Sequence, residues 1–294
     1  MSDAVIFDRG YRAYDGALRG RSGVRRAIYA DGVRRILGLR RKARRKVLPW
    51  GLLAIGVVLA SVFIGIQYVA GSLAAAASEG LPSYPELFDV YSRISLLFLA
   101  VTIPELLGPD RAHGVTSVYF SRPMTVGDYL GSKAAAYLSM AMAIYLVPQF
   151  ALHLGRAGLS NDGFLSYLGS NMDIVWKVVV VALAFALVHG GLLAIVSSYI
   201  DRTAFAAATF LGIVIAGGGL AETLTRAGFS GSEYFSLLAF DGFARHIRDW
   251  LFDVDMGATA TELAGFSPWV AVGGVLAVAV AGSAWVYRSY RRLA

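Results

Sequence analysis

The 294-residue chain has no cysteine. That absence excludes disulfides, thiolate-held metals and thiol nucleophiles, and it leaves the redox compartment unmarked. Charge is scarce too, at 16% of residues against roughly 25% in soluble domains. No G-x-x-x-x-G-K-[ST] phosphate loop occurs, so the chain alone does not cradle ATP in that way. There is no H-E-x-x-H zinc motif, and His113, His153, His189 and His246 fall in different segments. An intramembrane protease needs paired catalytic groups on facing spans, and only His189 and Glu105 stand near that position. No catalytic residue, cofactor or metal ligand is therefore expected in this chain.

What is abundant is apolar sequence: 56% of residues are hydrophobic and the mean hydropathy is +0.58. A helix crosses a hydrocarbon core with about 20 apolar residues, and six stretches approach that length. They predict an all-α integral membrane fold in one domain, 1–294, with spans at about 48–70, 88–108, 130–152, 176–200, 203–224 and 266–287. The second is the weakest, because it carries Glu105 and is bounded by Arg93 and Asp110. The first apolar run is too long for a signal-peptide core and is expected to stay as an anchor.

Orientation follows from the bias of Lys and Arg toward cytoplasmic loops. Fourteen of the 27 precede residue 48, and Arg111, Arg122, Lys133, Arg202, Arg288, Arg291 and Arg292 fall on the same side of a six-span reading. Both termini are expected in the cytoplasm, with the protein in the cell's inner (plasma) membrane.

Within the basic arm 1–47, Tyr29, Val33, Ile36 and Leu37 share one helical face, which predicts an amphipathic helix lying on the cytoplasmic surface. The run from Arg40 to Lys46 suits an anionic leaflet, and membrane lipid rather than nucleic acid is the expected partner. In the fifth span, Ala204, Ala208, Gly212 and Ala216 form a ridge of small residues on which another helix could pack closely. Gly217, Gly218 and Gly219 follow, and a bend or end is expected there. The polar stretch 228–265 is expected outside, with one or two short helices carrying Phe235, Leu238, Ala239, Phe243, Ile247, Leu251 and Phe252 into the outer interface. His189, in mid-span, reads either as a packed interhelical hydrogen bonder or as a ligand or proton-relay group. Glu105 reads either as a helix-end carboxylate paired with Arg111 or another base, or as a coupling group.

The most informative order of residues is P-E-L-L-G-P-D-R-A-H-G-V-T-S-V-Y-F-S-R-P-M-T-V-G-D-Y-L-G-S-K, from Pro104 to Lys133. Asp110 with Gly114 suits a turn, Arg122 before Pro123 is pushed toward extended backbone, and Thr125 or Asp128 can cap the next helix. The stretch resembles the cytoplasmic loop of permease subunits of type-2 ATP-binding-cassette exporters, in particular the actinobacterial-like ones. F-D-R-G-Y-R-A-Y-D-G near the start, G-L-R-R-K-A-R-R-K-V-L-P before the first span, and Y-F-S-L-L-A-F-D-G and D-W-L-F later on are similar to that group as well. Gly127 departs from it, standing where a basic residue is common.

The resemblance implies a short coupling helix at about Asp110 to Arg122, seated in a groove of a separate ATPase subunit that holds ATP and magnesium. It assigns partner contact or force transmission to Glu105, Asp110, Arg111, Gly114, Val115, Tyr119, Ser121, Arg122, Pro123, Asp128 and Tyr129. It also implies a second permease subunit, identical or related, facing the first and fifth spans. Stretch 228–265 leaves room for an external accessory protein. A non-transporting membrane subunit of an ATPase complex and a secondary transporter are the competing readings, and the sequence does not name a substrate.

Overall fold

A computed structural model of the chain describes residues 20–39, 44–73, 83–112, 114, 119, 124–257 and 259–292. Among them every regular element is helical. Helix α1 spans Gly20–Ile36, α2 Arg44–Leu73, α3 Tyr84–Thr102, α4 Pro104–Ala112, α5 Val126–Leu159 and α6 Phe164–Ser170. Helix α7 spans Met172–Tyr199, α8 Thr203–Arg226, α9 Phe240–Phe252, α10 Ala260–Leu263 and α11 Pro268–Arg291, with a 3₁₀ helix at Ser232–Leu238 between α8 and α9.

Six of these are long and apolar enough to cross a membrane, α3 and α4 together forming the second span. The chain is a multi-pass membrane protein. Spans two and four are the inner ones, each with 61% of its apolar window buried, whereas the first has 11% and the fifth and sixth 22%. Phe185 of α7 is the hub of the interior, its ring 6.2 Å from Phe88 of α3 and 5.4 Å from Tyr145 of α5. At Gly191 and Gly282 the backbones of α7 and α11 touch, and a Cβ at either would collide with the other helix's main chain. This is the close approach that small residues permit in membranes.

Sequence-derived boundaries shift where capping wins over hydropathy. The second span begins at Tyr84 rather than about residue 88, because Ser83 and Glu86 form a reciprocal capping box. It breaks at Ile103, and Pro104, which has no N–H to donate, restarts it as α4. The third span begins at Val126, not about 130, behind a second such box made by Thr125 and Asp128.

Three expectations need correction. The Gly217–Gly219 run does not end its helix, which continues to Arg226; in hydrocarbon the backbone keeps its internal hydrogen bonds because nothing else satisfies them. Helix α1 is not simply laid on the membrane surface. Its buried stripe is Ile28, Gly32 and Ile36, one residue off the expected face, and it packs on α5 so closely that a Cβ at Gly32 would stand 2.8 Å from Ala136 Cβ.

The 228–265 stretch, finally, goes deeper than the interface. The 3₁₀ helix follows α8 back until Leu238 O lies 3.1 Å from the position of a Gly217 Cβ, nine residues or about 13 Å short of Arg226. Helix α9 then climbs out between α7 and α11, with Phe243 against Gly274. The segment is a re-entrant hairpin.

Candidate functional site

Two buried polar clusters stand out among the described residues, one at the α1 end of the bundle and one running from mid-span toward the other end. On the α1 side Asp110 is the centre. It lies near the end of α4 and is buried, as is Lys133 on α5. Lys133 Nζ is 2.9 Å from Asp110 Oδ2, Arg35 Nη1 of α1 is 2.7 Å from Oδ1, and the Tyr129 hydroxyl donates to Oδ2 at 2.8 Å. Arg35 also holds Asp31 at 2.7 Å, one turn back on α1. A buried carboxylate persists only when it is paired and hydrogen-bonded, and here two elements, α1 and α5, supply the partners of a group on α4. Burial works to lower the Arg35 guanidinium, and the hydrogen bond and charge of Asp110 outweigh it, so its pKa is raised.

A second contact fastens the start of α1. Asp128, already the N3 member of the α5 capping box, accepts from Arg21 Nε at 2.6 Å. The acidic group sits at the helix N-terminus, where the macrodipole favours it. Arg111 reaches across to the turn between α7 and α8, pairing with Asp201 at 2.5 Å and donating to the Ser198 carbonyl. Glu105 is half-buried on α4.

Aromatic rings join this cluster to the loop beyond α4. Tyr119 packs on Tyr129 at 5.6 Å between ring centroids, and Tyr129 on Tyr290 of α11 at 5.7 Å. The Tyr290 hydroxyl donates to Leu107 O at 3.3 Å. Gly114 adopts φ +65, a left-handed conformation that glycine tolerates, and its N–H returns to Arg111 O at 3.1 Å. The turn read from Asp110 and Gly114 is present. Glu105, Asp110, Arg111, Gly114, Tyr119, Asp128 and Tyr129 thus gather on one side, while Val115, Ser121, Arg122 and Pro123 lie outside the described residues. Ala204, Ala208, Gly212 and Ala216 are all exposed on α8, a small-residue face that this chain's own packing leaves open.

The opposite cluster escaped sequence reasoning, because its members are far apart in the chain. His189 is fully buried on α7; Tyr145 Oη lies 3.0 Å from its Nδ1 and Asp241 Oδ1 3.1 Å from its Nε2. Asp241 stands at the inner end of α9 and also pairs with Arg245 at 2.7 Å. Arg245 and Arg248 both approach Asp89 of α3 at 3.4 Å, and Arg248, itself buried, grips Asp249 at 2.7 Å. An ionised carboxylate only accepts, so His189 donates from Nε2 to Asp241, while its Nδ1 shares a hydrogen bond with the Tyr145 hydroxyl. His189 and Arg245 together compensate the buried Asp241 carboxylate. His189 is thus a hydrogen bonder that pins the hairpin. The cue in the sequence was an acidic residue, Asp241, inside an otherwise apolar stretch.

The described histidines do not converge: His153 meets Tyr84 at 2.8 Å and His246 meets Thr261 at 3.0 Å. Among the described residues no group of His, Cys, Asp and Glu could hold a metal ion. Compared with protein-family models and with curated proteins, the chain matches none.

Proposed function

We propose that the chain is the membrane-spanning subunit of an ATP-binding-cassette exporter, driven by separate ATPase subunits that dock on the segment from Asp110 to Arg122. The observation that supports this best is the line from Tyr119 through Tyr129 to Asp110, which ties that loop to α1, α4, α5 and α11 at once. A loop so joined hands a push to four elements. Energy enters only through the different contacts that two ATPase states make with it. A second subunit, a copy or a relative, would face the small-residue ridge of α8 and the thinly covered α2. The positive-inside bias supports cytoplasmic termini and a plasma-membrane location.

The test is purification of the full chain from its native membrane in mild detergent, followed by identification of co-purifying proteins and an ATPase assay. Recovery of a phosphate-loop protein that hydrolyses ATP supports the reading. Arg122→Ala and Gly114→Val should then lower stimulated ATPase and transport at unchanged membrane levels, and wild-type activity in both would sink the assignment. A second reading, gradient-driven secondary transport, is favoured by the buried His189–Asp241 pair, since ionisable groups inside a bundle mark ion paths. Transport by the reconstituted chain alone under an ion gradient would put that reading first.

A further inference from the structure

On the α1 side, α5, α7 and α11 leave between them a cleft of about 740 Å³, within the roughly 300–1,000 Å³ of small-molecule sites. Along α7 it runs from Ala186 to Ser197, about 16 Å at 1.5 Å per residue, or half of a hydrocarbon core of about 30 Å. The cleft therefore matches the depth of one leaflet. Val280 and Tyr287 on its α11 rim are exposed, so it opens sideways toward lipid.

Its walls are graded. Toward the bilayer centre they are apolar, with Leu138, Leu187 and Val280. Toward the α1 side they hold two buried donors, Ser197 and Lys133. The neighbouring Ser198 is satisfied by the carbonyls of Ala194 and Ile195 at 2.7 and 2.9 Å, the usual resort of a helical serine. Ser197 Oγ, buried and 2% exposed as a residue, has no hydrogen-bond partner. A buried hydroxyl left unpaired is costly and points to an absent acceptor. Lys133 Nζ has three donors, and its ion-pair contacts are Asp110 at 2.9 Å and the more distant Asp31 at 4.0 Å.

We propose that this cleft holds one phospholipid of the leaflet on the α1 side, with an acyl chain along α7 and the phosphate and glycerol oxygens at Ser197 and Lys133. Acceptor-rich oxygens meet the two donors, and the tail meets the apolar end. The cleft takes one acyl chain and the headgroup oxygens, and the second chain stays in the bilayer beyond the lateral opening at Val280 and Tyr287. The site is independent of any ATPase partner.

The test is native mass spectrometry of the full chain, delipidated in detergent and titrated with palmitoyl-oleoyl phosphatidylglycerol. The wild type should take up one lipid saturably. Ala194→Trp, which fills the cleft, should abolish that uptake, and Leu220→Trp on the exposed face of α8 should leave it unchanged. Ser197→Ala should weaken binding roughly tenfold, the scale of one hydrogen bond, and it decides the matter if Ala194→Trp fails to fold. Unsaturable uptake that is the same in wild type and Ala194→Trp means bulk annular lipid only and overturns the site, as does no retained lipid in the wild type. Undiminished binding by Ser197→Ala overturns it as well.

Discussion

The two polar clusters are built on opposite principles. Around Asp110 the partners are charged side chains, Lys133 and Arg35, buried or half-buried at the junction of α1, α4 and α5. Around His189 the deepest contacts are made by an imidazole, a phenol and one carboxylate, and Arg245 and Asp89 stand nearer the rim, at 26% and 24% exposed. The first is an ionic joint, built from paired side chains of opposite charge. The second is a hydrogen-bonded latch in which Arg245 still compensates the Asp241 carboxylate when the His189 contact breaks.

The largest expected effect breaks this contrast on the ionic side. Asp110→Asn leaves the Lys133 ammonium buried opposite a neutral amide, and uncompensated buried charge costs about 3–5 kcal/mol. The variant should show a large loss of folded protein and a lowered thermal midpoint in detergent. Adding Lys133→Met to Asp110→Asn should recover much of that loss, because two neutral groups no longer strand a charge. An Asp110→Asn protein as stable as wild type would show that the joint is not ionic.

The matching change at the other end should be milder. In Asp241→Asn the amide oxygen still accepts from His189 Nε2, and Arg245 still has Asp89 at 3.4 Å. A loss of about 1–2 kcal/mol is expected, the scale of a charge-assisted hydrogen bond reduced to a neutral one. Asp241→Ala, which removes the acceptor, should cost more and should raise hydrogen exchange across α9. Equal exchange in both variants would remove His189 from the latch.

The comparison also explains what was legible from sequence. The α1-side joint lies on residues close in the chain, from Glu105 to Lys133, with capping signals and a Pro-bounded turn that local rules read directly. Only its α1 partners, Arg21 and Arg35, come from afar. The latch draws Asp89, Tyr145, His189, Asp241 and Arg248 from four elements, and no spacing rule links such positions. Six spans were visible because the bilayer imposes their length. The re-entrant hairpin was not, since 228–265 reads as a polar surface loop until Asp241 is seen to find His189. The face of α1 was misjudged by one residue because Gly32, which sets how closely α1 meets Ala136, carries no hydrophobic signal.

Tyr145→Phe sharpens the comparison within the latch itself. It leaves His189 Nδ1, fully buried, without its donor, and such an orphan costs about 1–3 kcal/mol. The Asp241 contact is untouched, so the loss should appear in thermal stability while hairpin exchange changes little. If hairpin exchange rises as much as in Asp241→Ala, the tyrosine and the carboxylate act through the imidazole as one unit.

The smallest expected effect concerns pH at the outer end of the hairpin. Burial lowers the His246 pKa below its ordinary 6.5, while Glu262 and Asp249 nearby pull the other way without restoring it. The folded protein therefore holds His246 neutral where the unfolded chain would take a proton. Its contribution is complete above about pH 6.5 and declines as pH falls, with a slope of at most about 1.4 kcal/mol per unit. Burial raises the Asp249 carboxyl from its ordinary 3.8 despite Arg248, so the folded protein takes that proton more readily than the unfolded chain and this group works against the trend. Protection factors in α9 and α10, referred to the base-catalysed intrinsic exchange rate, should fall between pH 7.5 and 5.5, and His246→Gln should flatten that dependence. The Asp110 joint should show no change over this range. A pH-sensitive joint beside a pH-insensitive hairpin would reverse the assignment of the two ends, since only groups that exchange protons differently in the folded and unfolded states couple stability to pH.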